Sequence, residues 1–136
     1  MKQTTFTWHD YLRFSESVAS SSDEATLRSA ISRAYYAAFH AGRDLCRELE
    51  IAVDAKPIDP GERDHSVHAR VARALVAHKH PRLRHAGEVL DALRKLRNDA
   101  DYRLSFDGDV KAAANKAVRD AHRVLGDLDL YRRSAR

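Results

Sequence analysis

"SRAYYAAFHAGRDL", Ser32 to Leu45, is the stretch on which the fold turns. Set on a helix at about 100° per residue, Ala34, Tyr35, Ala38, Gly42 and Leu45 fall on one side. Leu27 and Ile31 before the stretch and Leu49 after it continue the same stripe within about 100° of arc. A half-buried strand would alternate apolar and polar residues, and this stretch does not. The periodicity predicts a helix from the break at "SSSDEATL" to about Glu50, long for a globular domain. Ser21 and Glu24 fit a capping box at its start, with Asp23 and Glu24 suited to the positive end of the helix dipole. Opposite the stripe stand Arg33, Tyr36, His40, Asp44 and Arg47. Tyr36 and Phe39 put aromatic surface beside that row, which leaves two readings open: a solvated face, or a subunit interface or site.

Working outward, "TWHDYLRFSESVAS" predicts a first helix with Trp8, Tyr11, Leu12 and Val18 on its apolar side. "IAVDAKPIDPGERD" has two prolines, a glycine and no periodicity, and reads as a loop. "HSVHARVARALVAH" predicts a third helix. Pro81 suits the first turn of a fourth, which runs to about Tyr102 or a little beyond. "SFDGD" breaks the chain again. A fifth helix begins near Asp107 or Asp109 and reaches about Tyr131, with Val110, Ala114, Ala117, Ala121, Leu125 and Leu128 as its stripe. Short connections between long helices predict an all-α, antiparallel bundle of four to five helices. The 136 residues suit one domain.

The fourth helix carries an anomaly in "LRKLRNDADYRL" (Leu93 to Leu104). Leu83, Ala86, Val89, Leu90, Leu93, Leu96 and Ala100 centre its apolar face, and Arg97 lies only about 40° from that centre. An Arg97–Asp101 pair one turn apart on an exposed helix contributes only about 0.2–0.5 kcal/mol, and basic-before-acidic is the poorer order. Stability therefore gives little reason for an arginine here. A phosphate-binding or transition-state role gives more, because a guanidinium stays charged and forks onto phosphate oxygens. The competing reading is an arginine that snorkels from near the helix end.

Net charge is +4 with the eight histidines neutral, which permits nucleic-acid binding without establishing it. The apolar runs are far too short for a membrane span, "MKQTTFTWHDYL" lacks the apolar core of a signal peptide, and the single Cys46 fits a reducing cytoplasm. "HSVH" (His65, His68) and "HKHPRLRH" (His78, His80, His85) lack the cysteine or glutamate partners of a metal site. They are read as solvent-facing, with no metal and no cofactor expected.

"SRAYYAAFHAGRDL" and "LRKLRNDADYRL" together resemble two signatures of the HEPN family, the second being an "R…ADY" pattern found in small bacterial HEPN proteins. "RDHSVH" between them resembles the group's intervening segment more weakly. The resemblance covers about Thr7 to Tyr131, the expected core of a single HEPN-like domain over residues 1–136. It implies a helical bundle that forms a homodimer. It also implies a metal-independent ribonuclease of a toxin–antitoxin or defence system, paired with a nucleotidyltransferase-type or other antitoxin. Active members place a histidine after four to six residues beyond an arginine. Arg97 matches the arginine, but Tyr102, Arg103 and Leu104 occupy the histidine's window, so the motif is incomplete. Arg97 then supplies the cation for phosphate, Asp101 and Tyr102 join it as candidate catalytic residues, and His40 is the candidate base if the second and fourth helices meet. Arg33, Tyr36 and Asn98 are the candidate binding residues. The alternative is a non-catalytic HEPN dimer that holds a nucleotide, a nucleic acid or a partner protein.

Overall fold

The computed structural model describes residues 5–54 and 66–135. Among them it is all-helical: α1 (Trp8–Val18), α2 (Glu24–Glu48), α3 (Val67–Val76), α4 (Pro81–Tyr102) and α5 (Val110–Ser134). The fold is an all-α bundle with α2 at its centre, touching each of the other four helices. Most of the predicted "IAVDAKPIDPGERD" loop, and His65 after it, lie outside the described residues.

Each start has a local cause. Asp23, not Ser21, caps α2: its carboxylate accepts from the Thr26 N–H at 2.9 Å, while the Ser21 hydroxyl accepts from the Asp23 N–H. The predicted box is therefore displaced by two residues, because Asp23 is the last residue with extended backbone before the helix. A reciprocal contact of that kind occurs at α1 instead, where Asp10 accepts from the Thr7 N–H at 2.9 Å. Ser66 caps α3, His80 caps α4 ahead of Pro81, and Asp109 caps α5 through the Lys111 and Ala112 N–H groups. Gly108, at φ 85°, supplies the left-handed turn before that last cap.

Side-chain contacts give the helix directions. Trp8 reaches Asp44 and Ser15 reaches Ala30, so α1 runs against α2. Arg28 reaches Ala100 while Gly42 lies beside Leu90, so α4 also runs against α2. The α2 stripe is buried as expected from Leu27 to Leu45, and Leu49 is half-buried. Phe39, expected to put aromatic surface beside the outward row, is buried too. The helices approach closely where side chains are small. A Cβ on Gly87 would meet the Val76 nitrogen at 2.6 Å and the Ala72 carbonyl at 2.8 Å, so α3 and α4 touch at a position only glycine fits. That contact fixes the register of α3 on α4. Two turns further along the antiparallel pair, His68 comes level with the turn from Arg94 to Asn98.

Candidate functional site

The face of α4 that buries Leu93 and Ala100 takes Arg97 in with it, leaving that arginine only 5% exposed. The snorkelling alternative is excluded by this burial. The guanidinium carbon sits 5.0, 5.5 and 5.7 Å from the ring centroids of Tyr35, Tyr36 and Tyr102. Aromatic faces attract the cation but give its N–H groups no acceptors. Polar partners are few, the Tyr35 hydroxyl among them. Nη1 lies 3.8 Å from the Asp101 carboxylate and donates to the Tyr102 hydroxyl at 3.5 Å, while Nε has no hydrogen-bond partner. Asp101 is further engaged by the Ser32 hydroxyl at 3.2 Å. A buried cation held this loosely carries much of its desolvation cost uncompensated.

Beside Arg97 opens a cleft of about 320 Å³, lined by Tyr36, Ser66, His68, Arg94, Asn98 and Tyr102. Arg94 donates to Asp91 at 3.0 and 3.1 Å, so two guanidinium groups reach this cleft and only Arg94 has a close carboxylate. A larger groove, about 570 Å³, runs between α3 and α4 past Ala69, Ala72 and Val76. It meets the Arg97 cleft at Arg94 but holds neither histidine nor tyrosine.

His68 departs furthest from the sequence reading, which places it in solvent. Its Nδ1 lies 2.7 Å from the Tyr35 hydroxyl, and its ring stacks on Phe39 at 4.3 Å and 26°. Burial, with the Arg97 cation next, pushes its pKa down to about 4, so the ring is neutral at pH 7. Burial likewise raises the Tyr35 phenol well above its usual range, against the pull of Arg97 and Arg94. Tyr35 thus stays protonated and joins α2, α3 and α4 at one point.

Of the predicted residues, Arg97, Asn98, Tyr102 and Tyr36 come together around the cleft, and Asp101 borders it through Arg97. His40 does not line it. The second and fourth helices do pack, but His40 stacks on Trp8 at 4.1 Å and 16°, beyond Tyr36, where burial lowers its pKa. Arg33 is also elsewhere, with its guanidinium 4.9 Å from the Tyr11 ring centroid. The middle of the outward row of α2, Tyr36, His40 and Asp44, is therefore partly covered by α1 and α3, while Arg33 and Arg47 at its ends are exposed. Tyr102, which lines the cleft, is 75% exposed, and Leu104, two residues on, is 99% exposed. Among the described residues no three His, Cys, Asp or Glu side chains gather as a metal site, and no helix is long and apolar enough to cross a membrane. Comparison of the chain with protein-family models, curated proteins and solved structures finds no match.

Proposed function

We propose that this chain is a HEPN-type protein that acts on RNA, binding a phosphodiester in the Arg97 cleft and cleaving it without a metal ion. The observation that carries the reading is the under-partnered, buried Arg97 guanidinium beside a second arginine and a neutral imidazole. A phosphate oxygen would supply the acceptors that Asp101 and Tyr102 do not. The reaction is attack of a ribose 2′-oxygen on phosphorus with loss of the 5′-oxygen, giving a 2′,3′-cyclic phosphate and a free 5′-hydroxyl. Arg97 would stabilise the charge that grows on the phosphoryl oxygens. The resemblance adds the setting: a cytoplasmic toxin or defence protein with an antitoxin, working as a homodimer. Exposed Tyr102 and Leu104 offer apolar surface for that second copy.

A second reading, binding of a nucleotide or nucleic acid without cleavage, is favoured by one observation. Among the described residues, the one imidazole lining the cleft is held as a weak base. RNA cleavage in EDTA, wild type against Arg97→Met, separates the two. Cyclic-phosphate ends that disappear in the variant support cleavage. Arg97-dependent binding with intact RNA supports the second reading, and RNA that neither binds nor breaks rejects both.

A further inference from the structure

We propose that His68 is the proton-accepting group of the Arg97 cleft, and that its proton affinity rises when a phosphate anion occupies the cleft. This rests on the phosphodiester reading above. The geometry is that of a group held for use. Tyr35 fixes Nδ1 at 2.7 Å and Phe39 holds the ring plane. Nε2 has no hydrogen-bond partner among the described residues, although His68 lines the cleft.

With Nδ1–H donating to the Tyr35 oxygen, Nε2 carries the lone pair. It can then take the 2′-hydroxyl proton as the new O–P bond forms, and deliver it to the 5′-oxygen as the old bond breaks. Proton and electron pairs balance within substrate and imidazole, with no co-reactant.

The charges around the ring explain the dependence on ligand. From α4, Arg97 and Arg94 disfavour a charged imidazole. From α2, His40 does the same, second only to Arg97 among the charges, Arg43 acts least, and Tyr35 and Tyr36 are neighbouring rings. Among the described residues, no carboxylate is among the main groups that act on His68. An empty cleft thus keeps His68 unprotonated. A bound anion would offset Arg97 and Arg94, and the imidazole would become a stronger base only in the complex. By linkage, phosphate should bind more tightly to the protonated ring.

Histidine-selective NMR of the full chain tests this, with inorganic phosphate and a 2′-O-methyl RNA dinucleotide as probes and His68→Gln and His40→Gln to assign signals. Free protein should show Nε2 unprotonated at pH 7. On saturation with either probe, the His68 midpoint should move up by one pH unit or more, about a tenfold gain in proton affinity. His40 should hardly move. Dinucleotide affinity should rise as pH falls from 7 to 5, and His68→Gln should abolish that rise. A dinucleotide that binds in an Arg97-dependent way while His68 stays put overturns this assignment and leaves the phosphodiester reading standing. So does an Nε2-protonated tautomer. Absence of any Arg97-dependent binding overturns both.

Discussion

Arg28 and Arg97 reach the same end of α4 from different helices, and each buries an Nε without a partner. There the likeness stops. Arg28 donates to the Ala100 carbonyl at 3.3 Å, to the Arg103 carbonyl and to the Leu104 carbonyl at 3.0 Å. It also lies 3.2 Å from Glu24 and over the Phe106 ring. It satisfies carbonyls that the end of α4 leaves without intrahelical donors. Arg97, less exposed still, has a carboxylate at 3.8 Å, the Tyr102 hydroxyl at 3.5 Å, the Tyr35 hydroxyl and three ring faces. A cation whose donors are spent on the chain holds the chain together. A cation kept buried with donors to spare points to a ligand.

That contrast breaks first at Arg97. Arg97→Met keeps the bulk against the three tyrosines and removes the charge. Cleavage should fall about a hundredfold to a thousandfold, the typical cost of losing a transition-state donor. The melting temperature should stay level or rise, because an apolar replacement for a poorly compensated buried charge is often neutral or stabilising. A large drop in melting temperature would mean that Arg97 is structural, as Arg28 is.

Arg28→Ala should show the reverse pattern. Losing charged donors to carbonyls at the end of α4 should cost about 2–3 kcal/mol in denaturant unfolding. Per-site affinity for phosphate should change little while the protein stays folded. Equal affinity losses in the Arg28 and Arg97 variants would erase the distinction.

His68 gives a smaller effect that depends on pH. Its folded pKa of about 4 lies below the ordinary 6.5, so the unfolded chain binds more protons between those values. Stability should be complete above pH 6.5 and fall as pH drops toward 4, with His40 adding to the same trend. Melts of His68→Gln across this range should be flatter than wild type. Parallel curves would remove His68 as a contributor.

Asp101→Asn should do least. The 3.8 Å pair with Arg97 is at the limit of contact, and a change within about 0.5 kcal/mol is expected. A loss near that of Arg28→Ala would show the pair to be structural after all.

Periodicity made much of this legible. The α2 stripe, the break at "SSSDEATL", Pro81 at the head of α4 and the inward tilt of Arg97 all follow from a 3.6-residue repeat and from backbone chemistry that acts within a few residues. Asn98 and Tyr102 adjoin Arg97 in the same helix, and Tyr36 adjoins the buried stripe of α2, so both places are legible from spacing. A helical wheel sets His40 beside Tyr36 on α2, and it does not reveal that Trp8 of α1 lies over the ring. The three-residue spacing in "HSVH" speaks to metal ligation and does not show that His68 enters a cleft. Its signal lay in the short α3–α4 connection, which forces an antiparallel pair and sets His68 across from the Arg97 turn.

The sequence alone determined the helices, their order, the buried stripe of α2 and the misplaced cation on α4, because these depend on spacing along one chain segment. Tertiary structure decided which imidazole shares the cleft and which arginine has donors left over. Both depend on the register of one helix against another, set here by the Gly87–Val76 contact, and on desolvation by side chains far apart in the chain.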